Sequence, residues 1–153
     1  MVRRDRSLLA SLLKFIRLFP ALLSLALAQG WADGLAKLKI GKYELIAEVA
    51  VTNQEQATGL MNRPSLGPDQ GMLFIFDHPK EASFWMRNTS IPLDLAYLDE
   101  KGEILEILPL VPFEEKPVNS KSNKVAYALE VNRDWFSSRS LKAGQKIEGL
   151  PVK

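Results

Sequence analysis

The segment Phe84-Trp85-Met86-Arg87-Asn88-Thr89-Ser90-Ile91-Pro92-Leu93-Asp94 contains two alternating apolar runs with a polar break between them. Successive side chains of a β-strand point to opposite faces, so Phe84 and Met86 share one face while Trp85 and Arg87 share the other. A second apolar run begins after the break, at residue 91. Polar groups are costly to bury unless they are paired. The segment therefore predicts two strands joined by an organised polar bend.

The residues that follow predict a β-hairpin. Residues 91–98 alternate so that Asp94 lies on the face opposite Leu95 and Tyr97. Asp99-Glu100-Lys101-Gly102 then supplies the polar residues and the glycine that a tight turn favours. Residues 103–108 are expected to return as the second arm of the hairpin.

Upstream, the pattern changes from strand to helix and back again. Alternation predicts strands at residues 35–40 and 43–51, hinged at Gly41-Lys42. Thr52-Asn53-Gln54-Glu55 is a capping box, which predicts a helix that begins at Asn53 and is stopped by Pro64. An apolar run at residues 72–76 predicts a strand buried on both faces. A turn at residues 77–80 and a strand at residues 82–87 should follow.

Downstream, a long irregular stretch precedes the last elements. Residues 109–124 contain three prolines, and long loops of this kind are often functional, so we expect a lid there. Residues 125–131 predict a strand that carries Glu130 on a face of small residues. We expect Asn132 to cap a short helix bearing Trp135 and Phe136. Residues 146–150 should form a final strand.

Together these elements predict an α+β protein made mainly of antiparallel β-strands. Many short strands and about two short helices indicate a single compact domain with a strongly curved, barrel-like sheet. The regular alternation of strands and helices that a parallel α/β fold requires is missing from the pattern. We expect the domain to span residues 35–153, after a short polar lead at residues 29–34.

The first 28 residues have the three regions of a signal peptide. Five basic side chains precede or flank the start of an apolar run at residues 18–28, and Ala26-Leu27-Ala28 offers small residues to a signal peptidase. The run is shorter than the roughly 20 residues that span a membrane. We therefore expect cleavage after Ala28, export to the periplasm or the outside of the cell, and no stable membrane span afterwards.

Removal of this leader would reverse the sign of the net charge. The 153-residue chain has a formal charge of +2, whereas residues 29–153 carry 15 basic and 17 acidic side chains. A nucleic-acid partner requires a basic face or stripe. We therefore expect no nucleic-acid partner.

The composition also limits the chemistry. The chain has no cysteine and one histidine, which excludes the usual zinc sites and cysteine–histidine catalysis. Met61, Met72 and Met86 are thioethers of the kind that bind Cu(I), but they lack close spacing and lie on apolar faces, where methionine fills space. No serine lies in a G-x-S-x-G setting, and no glycine-rich phosphate loop is present. We expect neither a metal nor a cofactor.

Trp85 and Arg87 form the centre of the predicted ligand-binding surface. A flat aromatic ring beside a bidentate donor suits a sugar, a peptide or a carboxylate. We expect Arg63, at the predicted helix exit, and Asn88, in the polar bend, to contribute to the same surface.

Thr89, Asp94 and Glu130 are expected to form a structural polar cluster that supports this surface. Asp94 should accept hydrogen bonds from Arg63 or from the bend at residues 88–89. As an alternative, Asp94 and Glu130 are two carboxylates on apolar strands, and such pairs hydrolyse glycosides at separations of about 5–9.5 Å. We favour the structural role because buried polar groups are normally paired whatever their function.

Five motifs occur in a fixed order along the chain. They are Gly59-Leu60-Met61-Asn62-Arg63, Gly71-Met72-Leu73-Phe74-Ile75-Phe76, Phe84-Trp85-Met86-Arg87-Asn88-Thr89, Ile91-Pro92-Leu93-Asp94 and Leu129-Glu130-Val131-Asn132. In this order they resemble the bacterial and archaeal family catalogued as domain of unknown function 192. The resemblance covers residue 35 to the C-terminus. It departs from the family pattern at Arg133-Asp134 and at Gly144-Gln145.

The resemblance implies a compact α+β domain with a strongly curved sheet, often behind a signal peptide, and no established activity. The motif positions that it carries over are Arg63, Met72, Phe84, Trp85, Met86, Asn88, Thr89, Pro92, Asp94 and Glu130. From the residues themselves we expect an exported, non-catalytic binding module for a small molecule, a glycan or an envelope protein. The alternative is a glycan-directed hydrolase that uses Asp94 and Glu130.

Overall fold

The computed structural model of the protein describes residues 34–151. The predicted signal peptide and residues 29–33 of the predicted lead lie outside this range. The described part contains nine strands, one α-helix and one 3-10 helix. The strands are β1 (Leu35–Ile40), β2 (Tyr43–Ala50), β3 (Gln70–Lys80), β4 (Ser83–Phe84), β5 (Leu93–Leu98), β6 (Ile104–Leu110), β7 (Val118–Asn119), β8 (Val125–Asn132) and β9 (Ile147–Glu148). The α-helix is α1 (Asn53–Thr58), and the 3-10 helix is Ser137–Arg139.

Seven of the strands form one sheet in the order β6-β5-β8-β3-β2-β1-β9. All neighbouring pairs are antiparallel except β2 and β3, which are parallel and are connected through α1. Strands β4 and β7 form a separate antiparallel pair. The predicted class, mainly antiparallel β with little helix, is confirmed.

The edges of the large sheet are drawn together by the segment that leads into β9. Ile104 of β6 donates its backbone N–H to Gln145 (2.8 Å) and accepts from Gly144 (2.8 Å). Residues 147 and 148 form β9, the strand at the other edge, and pair with β1. Because residues 144–148 contact β6 and also form the opposite edge strand, the sheet curls into a half-barrel, as the many short strands predict.

The sheet separates two clusters of buried apolar side chains. Strand β3 contributes Leu73 and Ile75 to the first cluster and Met72, Phe74 and Phe76 to the second. This confirms the prediction that residues 72–76 are buried on both faces. Strand β5 is also buried on both faces, with Leu95 and Tyr97 in the second cluster and Ala96 and Leu98 in the first.

Helix α1 begins where the capping box predicts. Thr52 Oγ1 accepts from the N–H of Glu55 (3.2 Å), and Glu55 Oε2 accepts from the N–H of Thr52 (2.8 Å). The helix ends at Thr58 and does not run on to Pro64, because Gly59 adopts a backbone conformation with positive φ (48°) that a helix cannot continue through. The predicted extension of the helix is wrong.

Three predicted strand boundaries also need correction. Residues 77–80 do not form a turn, because β3 continues to Lys80 and reaches Val125 across an irregularity in the pairing. The strand predicted at residues 82–87 is reduced to β4, since Met86 already donates its N–H to Glu114 of a facing turn (2.8 Å). The strand predicted at residues 146–150 is reduced to β9.

The predicted cap at Asn132 is wrong as well. Asn132 is the last residue of β8, and its side-chain amide donates to the carbonyls of Leu66 (3.1 Å) and Gly67 (2.8 Å). Trp135 and Phe136 pack into the first cluster from a turn and not from a helix. Residues 109–124 are not a free lid either, because β6 extends to Leu110 and β7 pairs with β4. Within residues 34–151, no helix is both long and apolar enough to cross a membrane.

Candidate functional site

The bend after β4 places side chains as the alternation predicts. Met86 is buried, whereas Trp85 and Arg87 point to solvent, and 45% of Trp85 is exposed. Thr89 closes the bend: its N–H donates to the Met86 carbonyl (3.1 Å) and its hydroxyl donates to the Arg87 carbonyl (3.1 Å). Thr89 is itself buried. It therefore holds the backbone that carries the exposed Trp and Arg.

Two further loops meet this bend, and each contributes a residue with positive φ. Asn62 (φ 60°) donates its N–H to the carbonyl of Asn88 (φ 52°) at 2.8 Å. Phe113 (φ 61°) donates its N–H to the carbonyl of Thr89 at 3.1 Å. This conformation is uncommon outside glycine and more so for a bulky residue such as Phe. Such strained residues persist where the surrounding structure holds them, and they cluster at binding sites.

The same loops expose an unusual amount of apolar surface. Phe113 is 63% exposed and Val111 is 57% exposed, and they belong to a turn that is hydrogen bonded to residues 86 and 89. With Trp85 they account for three of the six large apolar side chains that are exposed in the described range. We call the surface formed by Asn62, Trp85, Arg87, Asn88, Val111 and Phe113 the Trp85 patch.

Arg87 is held in this patch only weakly. Its guanidinium lies 5.6 Å from the centroid of the Trp85 ring. A cation–π contact at an exposed site contributes about 0.5–1 kcal/mol. Arg87 can therefore leave the ring and pair with an anionic or hydrogen-bond-accepting group at little cost.

Arg63 lies outside the Trp85 patch, although it was expected in the same surface. Its guanidinium forms a two-bond pair with the carboxylate of Glu48 on β2 and so lowers the pKa of that carboxyl. The two side chains line an open cleft of about 480 Å³ beside α1. Only the Arg63 carbonyl is joined to the bend, through the hydroxyl of Ser90 (3.3 Å).

Asp94 does not pair with Arg63 or with the bend, so that prediction is wrong. Its carboxylate accepts from the backbone N–H of Asp134 (2.9 Å) and lies 3.3 Å from Nε of Arg133. Arg133 is fixed in turn by the carbonyls of Leu93 and Leu110. Burial raises the pKa of Asp94, and the Arg133 guanidinium opposes that rise. Asp94 thus joins β5 to the turn after β8, which is a structural role.

Glu130 lies on the other face of the sheet from Asp94. It is the cross-strand partner of Leu95 on β5, so it shares the face of Leu95 and not that of Asp94. The sheet separates the two carboxyl groups, and they do not form a pair that could act on one glycosidic bond. The geometry therefore does not support the hydrolase alternative.

Glu130 is instead a buried acid with an unpaired oxygen. It is 4% exposed, and its Oε2 atom has no hydrogen-bond partner. Burial raises the pKa of Glu130 to about 8, so the carboxyl is mostly neutral at pH 7. It lines a small, partly open cavity of about 20 Å³ together with Trp85 and Thr89. Of the predicted structural cluster, Thr89 and Glu130 meet at this cavity, whereas Asp94 lies apart.

The described residues do not bring together the side chains that a metal site requires. No group of three or more His, Asp or Glu side chains in residues 34–151 is close enough to hold an ion. Met72 and Met86 are buried in the second apolar cluster, and Met61 is half-buried at the edge of the Glu130 cavity. Their positions are those of side chains that fill space in an apolar interior.

The sequence patterns do not predict two residues that matter at the site. Phe113 lies within the predicted lid, where an aromatic residue in a proline-rich loop is the one local signal for it. Arg133, the partner of Asp94, was noted only as a departure from the family pattern. Neither could be assigned, because the strand order that brings residue 113 to residue 89 and residue 133 to residue 94 is not a local property of the chain.

Several solved structures resemble the fold, and two of them illustrate the likeness. One is a crystal structure from Sinorhizobium meliloti, provisionally described as a transcription regulator: it is 32% identical with a TM-score of 0.71, and the match covers 78% of this chain and 95% of that one. The other is a protein of unknown function from Novosphingobium aromaticivorans, 33% identical with a TM-score of 0.67, covering 74% of this chain and 83% of that one. No curated protein matches the sequence significantly.

The match to a sequence family extends over nearly all of the described residues. Residues 36–149 match DUF192, whose description is "Uncharacterized ACR". This range includes β1 from Ala36 onward, all the other strands of the half-barrel and the whole Trp85 patch. The chain therefore belongs to the DUF192 family.

Proposed function

We propose that the protein is an exported, non-catalytic binding module and that the Trp85 patch contacts its ligand. The observation that supports this most directly is the joining of Asn62, Asn88 and Phe113, all with positive φ, around an exposed Trp. Holding three such residues costs folding free energy. The three strained residues hold the loops in place and so keep an exposed aromatic surface in a fixed position.

The shape of the patch favours a glycan or an envelope protein over an enclosed small molecule. Small-molecule ligands normally occupy concave sites of about 300–1,000 Å³. The cavity that Trp85 lines has a volume of about 20 Å³, whereas the outward-facing side of Trp85 is exposed to solvent. Aromatic residues and arginine are the residue types most enriched at the centres of binding surfaces.

Trp85 is expected to contribute most of the binding free energy. Roughly 100 Å² of its surface remains to be covered, which corresponds to about 2–3 kcal/mol at 25 cal/mol per Å². Trp85→Ala should therefore weaken ligand binding by roughly 30- to 150-fold. Ile46→Ala, which removes a similarly exposed apolar side chain from β2, serves as the matched control and should have little effect.

The test is a pull-down from envelope extract with the wild type and both variants, followed by analysis of captured protein and glycan. A partner that is lost with Trp85→Ala and retained with Ile46→Ala supports the proposal. Equal capture by all three proteins would refute the assignment of the site to Trp85.

Two other functions receive less support. The hydrolase hypothesis needs Asp94 and Glu130 on one face, and they lie on opposite faces of the sheet. The Sinorhizobium protein is provisionally described as a transcription regulator. Residues 29–153 have more acidic than basic side chains, whereas DNA binding favours a basic surface, so the charge of this chain does not favour such a role.

Export is part of the proposal and has a separate test. The basic, apolar and small-residue regions of residues 1–28 support cleavage after Ala28. N-terminal sequencing of protein purified from the cell envelope or medium should begin at Gln29. Protein from that fraction that still begins at Met1 would contradict cleavage.

A further inference from the structure

Glu130 is a polar group that the proposed function leaves unexplained. It projects from β8 between Met72 and Leu95, its neighbours across β3 and β5, into the second apolar cluster. Its Oε2 atom makes no hydrogen bond although it is excluded from solvent. Buried polar groups are nearly always paired, so an unpaired one calls for a partner that enters from outside.

The place where such a partner would enter is the small cavity beneath Trp85. Glu130, Thr89, Met61 and Trp85 all line it, and its volume of about 20 Å³ holds one water-sized group. Trp85 faces this cavity and solvent at once, because 45% of its surface is exposed. Trp85 therefore links the cavity that Glu130 lines to the exposed surface of the patch.

The chemistry of the cavity selects the group that fits. A neutral carboxyl donates one hydrogen bond through its O–H and accepts others through its carbonyl oxygen. The Thr89 hydroxyl donates to the Arg87 carbonyl and keeps its lone pairs for acceptance. A hydroxyl group, which both donates and accepts, matches this pair. A cation fits poorly because burial disfavours the charged form of the acid, and the cavity lining contains no second acid.

We infer that the ligand of the Trp85 patch is a saccharide, with one hydroxyl inserted into the cavity to bond Glu130 and Thr89 and the apolar face of a sugar ring against Trp85. This inference rests on the proposed function and narrows its ligand from glycan or protein to sugar. Glu130 then recognises the ligand without taking part in a reaction.

The test is isothermal titration of the full chain with three soluble probes, which are cellotetraose, chitotetraose and tetragalacturonate. At least one should bind the wild type. Glu130→Leu keeps the volume and removes both hydrogen bonds, so it should weaken that binding tenfold or more. Glu130→Gln keeps a donor and an acceptor and should stay within about threefold of the wild type. Far-UV circular dichroism checks that each variant is folded.

A second measurement covers the case in which Glu130→Leu does not fold. In wild-type protein with ¹³C-labelled glutamate, the side-chain carboxyl resonance of Glu130 should shift when the bound tetrasaccharide is added. An unchanged resonance at saturation, or unaltered affinity in folded Glu130→Leu, would overturn the buried subsite while leaving a Trp85-dependent function standing. Failure of all three probes to bind the wild type would overturn the saccharide inference, and the envelope pull-down would then still decide the proposed function.

Discussion

The carboxyl group of Glu130 is buried, and this burial affects how the stability of the protein responds to pH. Its pKa rises from 4.5 to about 8 in the folded state because burial disfavours the charge. The folded protein therefore binds a proton that the unfolded chain releases between these two values. Stability linked to this proton is fully present below about pH 4.5 and is lost as the pH rises towards 8.

This linkage predicts that the free energy of unfolding of the wild type falls between pH 5 and pH 8 by roughly 2–4 kcal/mol more than that of Glu130→Gln. The variant keeps the shape of the side chain but cannot titrate. Asp94, whose pKa is also raised, is present in both proteins, so its contribution cancels. Glu48 has a lowered pKa, so its protonation affects the free energy of unfolding at more acid pH than the range compared. Urea unfolding at several pH values measures the difference, and parallel pH curves would contradict a buried neutral Glu130.

Helix α1 depends on its cap more than most helices do. It has six residues, and none of them is buried, so packing contributes little to it. The capping box satisfies the N–H groups of Thr52 and Glu55, and Gln56 ties the helix to the Ile75 carbonyl of β3 (2.8 Å). Because residues 56–61 also line the Glu130 cavity, the cap helps to form one wall of the proposed subsite.

Thr52→Ala should lower the free energy of unfolding by about 1 kcal/mol, since it removes the cap from the N–H of Glu55. Thr58→Ala is the matched control, because Thr58 lies in the last turn and its hydroxyl donates to the Gln54 carbonyl without capping the helix. We expect it to change stability by less than about 0.5 kcal/mol. Denaturant midpoints of the two variants provide the comparison. Equal losses would argue that the helix is not held by its cap.

The half-barrel as a whole depends on close approach of β9 to β1. Gly149 has φ 82°, and a Cβ atom there would lie 2.3 Å from the carbonyl oxygen of Lys37. Gly144, just before β9, has a similar φ of 89°, but a Cβ atom there would meet nothing within 4 Å. Substitution of the two glycines therefore separates two contributions to the free energy of unfolding. One is the strain of a positive φ, and the other is the close approach of β9 to β1.

Gly144→Ala should lower the free energy of unfolding by about 1 kcal/mol, the cost of placing a side chain at positive φ. Gly149→Ala should lower it by a further 1–3 kcal/mol or so, because the new methyl group forces β9 away from β1. Thermal or urea unfolding measures both variants. If they are equally stable, contact between β9 and β1 does not support the sheet.

Much of the fold could be predicted from local patterns. The strands at β1, β2, β3, β5, β6 and β8, the start of α1 at Asn53 and the outward direction of Trp85 follow from alternation and capping, which depend on residues within a few positions of each other. The errors lie where long-range contacts override local preference. Met86 bonds to Glu114 in place of continuing β4, and Asn132 bonds to Leu66 and Gly67 in place of capping a helix.

The polar residues of the candidate site were recognisable by type, but their partners were decided only by the folded chain. Arg63 pairs with Glu48 and Asp94 with Arg133, and both choices depend on which strands are neighbours in the sheet. Strand register likewise places Glu130 opposite Leu95, and so on the other face from Asp94. Alternation along one strand specifies the face of a side chain relative to its own neighbours. Alternation does not specify which distant strand will lie beside the first one. The cavity under Trp85 is lined by residues that are distant in sequence, so only the tertiary structure determines it.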